Sequence, residues 1–525
     1  VCTGYVSTLT ADGTSGRIGR YSLSVLGFLK WSGLIALAAA AWQPASAETT
    51  LSLRAFAEAV LLADDTLAGR RLDIDIAGAD LRGARGAFEP SAFINGRRDR
   101  SNVENTAQER LQRGLSNSFD SRVTDFKVGL ASRTESGGDV EFAYRIDRYR
   151  NNLQPQSLYG REFRSVVGVS VTQPLLRGAG RTFNRAPINI AEYEERLAEE
   201  IFRLSVQQRL ADAVGSYIQF QEATERVELL RSSLEVAEQL VRTAQRMAAL
   251  GARPGSAVIE AVVFRDTRRL QLEQARQDMV EARASMRSLL LATEGRLRDG
   301  PVPAAVQIRN VPRIGDRALT VPDVESMRNT AFERRSESRI AALRVARDSI
   351  RISAAENQLL PQLDITARYD LDGLSDSAQS SVGRAARGPN RVWGVGIELR
   401  VPLQGNQRAR ADHDAARLRR DQSELALVAA RQRIANEVES TREAAEGAVR
   451  QLESQRALVM SQRELLRSAD VQAEGGRMSG VELQRRRLEL LQAEEQLLSR
   501  KAAAYRARFA IAFTSGRLAE ELERD

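Results

Sequence analysis

The chain has 525 residues, 77 basic against 69 acidic for a formal net charge of +8, and only one His and one Cys. A single imidazole, His413, and a single thiol, Cys2, exclude His-rich metal sites, CxxC centres, zinc ribbons and a disulfide framework, and without a GxSxG elbow no nucleophilic triad can be assembled; no catalytic, cofactor-binding or metal-ligating residue is expected. Only Lys30, Lys127 and Lys501 are lysines, so the basic excess reflects arginine usage and not a nucleic-acid footprint, and no nucleic-acid partner is expected.

Arg17, Arg20 and Lys30 precede an apolar run over residues 31–42, which ends in Ala45-Ser46-Ala47. Basic, apolar, then small-x-small is the order of a secretory signal, and the run is too short to span a bilayer. Residues 1–47 are therefore expected to be a signal peptide, with an over-extended start. No later stretch is apolar for ~18 residues, so any membrane crossing would have to be made by β-strands.

The rest of the chain repeats once. Residues 184–295 and 403–516 are rich in Ala, Leu, Glu, Arg and Gln at helical spacing. Leu210, Val214, Tyr217 and Ile218 in the first, and Ile434, Val438 and Ala445 in the second, form narrow seams with charged flanks, as in coiled coils. Pro187 is the only proline between Asn184 and Leu250, where a continuous helix would be about 100 Å long. Each run is interrupted once by a hairpin-like turn, at Gly251, Arg253, Pro254 and Gly255 and at Gly475, Gly476, Arg477, Ser479 and Gly480. A further helical run, 50–86 or 322–358, opens each half.

Between these runs lies period-two patterning. Val167, Val169 and Val171 alternate with Gly168 and Ser170; Trp393, Val395, Ile397 and Leu399 alternate with Gly394, Gly396 and Glu398; Phe142, Tyr144 and Ile146 alternate with Glu141, Ala143 and Arg145. One face apolar and one face polar fits a half-buried strand, and equally a strand with lipid outside and water inside. Residues 97–121 and 373–390 read as polar loops. Pro90 aligns with Pro361 and Pro174 with Pro402, so the first half is longer between these prolines by about 43 residues. That excess suggests an extra hairpin within residues 123–146, turning at Gly137-Gly138.

The organisation expected is a signal peptide (1–47), then a first repeat of N-terminal helix (48–87), strands with an extra hairpin (88–175) and long helical hairpin (176–300). After a linker (301–321) comes a second repeat of N-terminal helix (322–360), strands (361–403) and long helical hairpin (404–516), with a tail (517–525). The fold class is mainly α with a membrane β-barrel.

The duplicated junctions Gln173-Pro174-Leu175-Leu176-Arg177-Gly178 and Val401-Pro402-Leu403-Gln404-Gly405, the strand entry Leu360-Pro361-Gln362-Leu363 and the turn Gly476-x-x-Ser479-x-x-Glu482-Leu483 resemble the TolC-like outer-membrane efflux proteins over residues 50–516. The resemblance implies a homotrimer whose protomers share one outer-membrane β-barrel, in contact with outer-membrane lipid, and one α-helical periplasmic tunnel. It implies four strands per protomer. The two turns would form the periplasmic tip, which docks a membrane-fusion adaptor and, through it, an inner-membrane pump of the RND or ABC type. Glu482 matches the position of an acidic ring at the tunnel entrance. Arg485 stands where a second acid could follow, and Ala257 where the first turn could carry one. The implied function is passive export across the outer membrane, by efflux or type I secretion. A periplasmic structural coiled-coil protein with a soluble β-domain is the other reading. Arg485, Arg486 and Arg487 read as a solvated face or as groove salt bridges, Met247 and Met478 as packing, and His413 as structural.

Overall fold

The computed structural model describes residues 51–153, 161–252, 254–290, 311–315, 319–388 and 390–524. The expected signal segment, Arg253 of the first turn and most of the expected linker lie outside them. In chain order the elements are α1 (Leu53–Ala63), α2 (Asp65–Arg85), β1 (Ser91–Glu104), α3 (Ala107–Gln112), β2 (Ser118–Arg133), β3 (Asp139–Asn151) and β4 (Glu162–Pro174). Then come α4 (Arg181–Asn184), α5 (Ala186–Ala249), α6 (Ser256–Leu290), α7 (Val324–Arg334), α8 (Ser336–Leu359) and β5 (Gln362–Ser375). The last are α9 (Ala378–Arg387), β6 (Asn390–Arg400), α10 (Gln407–Glu474), α11 (Gly480–Thr514) and α12 (Leu518–Arg524).

Helices α5 and α10 have 64 and 68 residues, and each is close to 100 Å long at ~1.5 Å per residue. Pro187 falls in the first turn of α5, where its missing N–H costs nothing. The buried side of α10 is a thin seam, Ala409, Ala416, Ile434, Val438, Ala445, Val459 and Ala469, with heptad intervals recurring along it. One stripe of small and branched side chains suffices for α10, whose neighbours cover one side of it. Helix α5 lies among helices of both repeats and buries a wider face that includes Tyr217, Ile218, Phe220 and Gln221. The N-terminal helix of each repeat packs along the upper part of its long helix (α2 on α5, α8 on α10) and the return helix along the lower part (α6 on α5, α11 on α10). Contacts of α5 with α8 and α11 join the two repeats.

The main core lies midway along this bundle. Phe56 of α1 is fully buried against Tyr217 of α5, whose hydroxyl donates to the Leu51 carbonyl at 2.6 Å. Ile218, Met286, Phe509, Leu518 and Leu522 complete the cluster. Residues 311–315 strap across α5: Gln221 Nε2 donates to the Pro312 carbonyl at 2.8 Å, and the Ile314 N–H donates to Glu225 Oε1 at 2.7 Å. Burial pushes the Glu225 carboxyl above its ordinary value despite that hydrogen bond.

Each N-terminal helical run, expected to be continuous, is broken in two at equivalent positions. In the first half Asp64 leaves helical geometry and caps α2, accepting from the Leu67 N–H at 2.8 Å, while Arg209 Nε of α5 sits 2.6 Å from its other oxygen. In the second half Arg335 separates α7 from α8 and reaches Glu437 of α10 at 2.6 Å. Arg335 is only 5% exposed. Burial alone would lower its pKa, but its hydrogen bonds to Glu337 and Glu437 outweigh that and hold the guanidinium above its ordinary value.

The six strands form one antiparallel sheet in the order β1-β2-β3-β4-β5-β6, each strand beside its sequence neighbour. The register Phe163↔Ser375 through Pro174↔Asp364 joins the two repeats. Four strands come from the first half and two from the second, six where the resemblance implied four. The hairpin of β2 and β3 supplies the difference, and its turn at residues 134–138 sits on the strand–helix junction, where the Gly180 N–H donates to the Ser136 carbonyl at 3.0 Å. The segments read as polar loops are largely ordered elements. Residues 97–104 continue β1, paired in register with residues 118–125 of β2 through backbone groups that every residue but proline carries in full. Thr106 and Glu109 form a reciprocal capping box that starts α3. Ser377 caps α9, and Gly388, in the left-handed region at φ +64°, ends it. Gly373 of β5 lies under α9, where a Cβ would come within 2.2 Å of the Ser381 carbonyl.

Two outcomes test this packing. Removing Arg335 as Arg335→Ala strands Glu437 and is expected to destabilise the fold by about 3–5 kcal/mol, whereas Arg334→Ala, whose bridge to Glu520 is half exposed, costs about 0–1 kcal/mol; urea unfolding of the two variants compares them. Gly373→Val is expected to dislodge α9 and open trypsin cleavage after Arg384 and Arg387, seen by limited proteolysis.

Candidate functional site

Strand pleating sends alternate residues to opposite faces, and the register assigns every face. One rung runs Ala92, Leu130, Phe142, Val169, Tyr369 and Trp393 across all six strands. The next on the same face runs Ile94, Val128, Tyr144, Val167, Leu371 and Arg391. This face is apolar and aromatic, and much of it is open: Trp393 is 73% exposed and Ile397 72%. The opposite face is charged and internally paired. Lys127 Nζ reaches Glu141 at 2.6 Å, Arg164 grips Asp372 through two nitrogens, and Arg368 and Arg145 pair with Asp370 and Asp147. Strands of 11 to 16 residues meet or exceed the ~9–11 that cross a hydrocarbon layer. No helix among the described residues is long and apolar enough to do so. The outer edges of β1 and β6 have no partner strand among the described residues.

At the far end of the bundle the two hairpins turn. The first and second turns are built alike. Gly251 (φ +69°) donates to the Ala248 carbonyl and Ala252 to Met247; Gly476 (φ +72°) donates to Ala473 and Arg477 to Gln472. These are Schellman closures, and the left-handed residue is glycine in both. The carbonyls of Pro254 and Gly255 accept from the first N–H groups of α6. The Gly475 N–H closes the last turn of α10 on Val471. Ser479 caps α11, its hydroxyl accepting from the Glu482 N–H at 3.3 Å. Gly480 is a close-approach position, since a Cβ there would lie 3.3 Å from Thr243 Cγ2 of α5. Above the turns, Leu240, Val241, Ala244, Ala261, Val481 and Leu488 bury one another and so hold the two hairpins together.

The charged residues of the tip do not all meet. Glu482 pairs along its own helix with Arg486 at 3.6 Å. Arg485 crosses to the other hairpin and donates to Glu260 Oε2 at 3.1 Å. Arg487 pairs with Asp470 on α10 at 3.1 Å, so all three consecutive arginines are in ion pairs. Glu260 escaped the sequence reading, which compared Glu482 with Ala257. The acid of the first hairpin lies one turn further on, at the position equivalent to Arg485. The pairing of Glu482 with Ala257 has the same offset of 225 residues as the left-handed glycines Gly251 and Gly476, so carrying it one turn further finds Glu260 opposite Arg485. His413 lies early in α10, 3.5 Å from Asp414. No group of three or more His, Cys, Asp or Glu among the described residues could hold a metal ion.

The protein-family model described as "Outer membrane efflux protein" matches residues 328–517, the second repeat. The chain is 24% identical over 388 residues to "Outer membrane efflux protein BepC" of Brucella suis biovar 1 (strain 1330), covering 74% of this chain and 76% of that one. Among solved structures, a membrane protein from Pseudomonas aeruginosa superposes with a TM-score of 0.60 at 19% identity, over 88% of this chain and 90% of that one. The CmeC outer membrane channel of Campylobacter jejuni does so with a TM-score of 0.58 at 14% identity, over 98% and 97%.

Truncating the buried contact between hairpins as Leu488→Ala is expected to cost about 2–5 kcal/mol locally. Hydrogen exchange should then accelerate at residues 240–250 and 475–490 and stay unchanged in the sheet.

Proposed function

From the premise that this chain is a TolC-like outer-membrane efflux protein, we propose that it is the outer-membrane exit duct of a tripartite export system. It passively conducts substrate delivered by an inner-membrane pump, of the RND or ABC type, through a periplasmic adaptor. The observation that carries this reading is the two-faced sheet: an open apolar face backed by a charged, hydrated one, continuous with helices close to 100 Å long. A sheet of this kind lines a water-filled pore when its edges close. The helices prolong that pore through the periplasm. Power comes from the pump, so the duct needs no nucleotide, metal or nucleophile.

Closure falls to a homotrimer. The unpaired edges of β1 and β6 are long and exposed, and pairing each β6 with the β1 of the next copy leaves no edge. Three six-stranded sheets make an eighteen-stranded barrel. With strands ~4.8 Å apart and tilted by ~40°, its backbone diameter is about 36 Å, against about 24 Å for twelve strands.

The turns at Gly251, Pro254 and Gly255, and at Gly475, Gly476, Arg477, Ser479 and Gly480, form the adaptor-docking tip, with Arg253 assigned to it from the sequence. Glu482 and Arg485 belong to the gate. The Arg485–Glu260 bridge is half exposed on both sides, so each copy holds the hairpins by only about 0–1 kcal/mol. A closure of that strength is easily reversed when adaptor contacts favour the open arrangement.

In planar bilayers, Arg485→Glu is expected to raise the open fraction of the channel, and Glu260→Arg in the same chain to lower it again. A disulfide between Thr243→Cys and Gly480→Cys should block export until reduced; unaffected export would sink the gate. Recovery of the protein in the soluble periplasmic fraction without detergent would sink the duct and favour a structural coiled-coil role. Electron microscopy of the detergent-solubilised protein should count eighteen strands.

A further inference from the structure

We propose that the far end of the sheet's apolar face carries an arginine girdle that binds the phosphate groups of a polyphosphorylated lipid in the outer leaflet. This rests on the outer-membrane reading above. On strand after strand that face is apolar near the helices and basic at the far end. In β3, Val140, Phe142, Tyr144 and Ile146 are followed on the same face by Arg148 and Arg150. In β6, Leu399, Ile397, Val395 and Trp393 lead up to Arg391, and in β1, Ala92 and Ile94 lead up to Arg98. In β2, Arg122 stands near the far end, followed on the same face by Asp120, and Arg161 stands immediately before β4. Over β5 and β4 the far end is covered by α9, which carries Arg384 and Arg387. All of these arginines are exposed.

Two observations ask for an anion. First, the register places Arg100, Arg122 and Arg150 directly opposite one another on a single rung. Like charges so placed repel. Asp120 answers only two of them, at 3.6 Å from Arg100 and 3.4 Å from Arg122. Second, Arg148 and Arg161 both lie over the Phe163 ring, at 5.9 and 5.8 Å, in place of a carboxylate partner. Residues 154–160, which join β3 to β4, contain no acid at all. Glu104 and Asp120 are the carboxylates that β1 and β2 offer at this level of the face. The ligand that fits is an amphiphile, with acyl chains along the apolar band and several phosphates above it. Phosphate suits arginine, whose planar fork grips two oxygens at once. Charges on a lipid-facing strand are tolerated only near the interface, which is where this row would set the headgroup level.

The test uses the whole protein in phosphatidylcholine nanodiscs doped with bis-phosphorylated lipid A or with its dephosphorylated form, read by native mass spectrometry. Wild type is expected to retain the phosphorylated lipid selectively. Arg148→Gln, Arg150→Gln and Arg391→Gln should weaken retention by about fivefold per side chain, and Lys in their place should restore part of it. Arg145→Gln, on the charged face of the same strand, should change nothing. Equal retention of the two lipids, an unaltered triple variant, or displacement of lipid by millimolar inorganic phosphate would overturn the girdle. If the protein fractionates with the outer membrane and conducts but shows no phosphate selectivity, only the girdle falls. If it does neither, the duct reading falls with it.

Discussion

Backbone amides in a hydrocarbon layer have no water to bond, so each must find a partner within the protein. The six-stranded meander meets this demand at its five internal ladders and leaves it unmet along β1 and β6. Everything else about the sheet follows from the same constraint. Its two faces divide into one apolar and one charged, the division that the proposed setting between lipid and water requires. Charges on the wet face are answered across strands, as Arg164 is by Asp372, so that a crowded surface of acids and bases stays neutral locally. In the proposed closure with other copies, strand count also sets pore width. The β2–β3 hairpin is therefore an architectural change and not an ornament on a loop.

The two repeats keep their ion pairs but not the signs. Asp64 faces Arg209 in the first half, while Arg335, its equivalent, faces Glu437 in the second. At the tip, Glu260 and Arg485 occupy equivalent positions and bond to each other. At each helix break the fold needs a charged pair that satisfies a side chain taken out of water; which member is acidic is left free. The buried pairs at the breaks hold geometry, since losing one partner strands the other. The exposed pair at the tip is weak enough to be made and broken, and the apolar contacts of Val481 and Leu488 above it hold the hairpins together in the arrangement described.

Much of this was legible along the chain. Heptad spacing around Ile434 and Val438, the scarcity of proline and the two glycine turns specify long helical hairpins. Alternation at Val167, Val169 and Val171 specifies strands. Other features left readable traces that composition concealed. The capping box of Thr106 and Glu109 sits in a stretch so polar that it reads as a loop, and α9 hides among serines and arginines for the same reason. The breaks at Asp64 and Arg335 carry no proline or glycine: Asp64 acts as an N-cap, and both residues are held by ion pairs with a helix far away in sequence.

By itself, then, the sequence determined what depends on neighbours within a few residues: the period of each segment, the hairpin turns and the duplication. Only the tertiary structure decided what depends on register. It paired the extra hairpin of the first half into the sheet between β1 and β4, set Arg100, Arg122 and Arg150 on one rung, and brought Arg485 to Glu260. Period two says that a side chain has two possible faces, but pairing with another strand chooses between them. Helical spacing says that a charge is exposed, but the partner it meets lies on another helix, more than two hundred residues away.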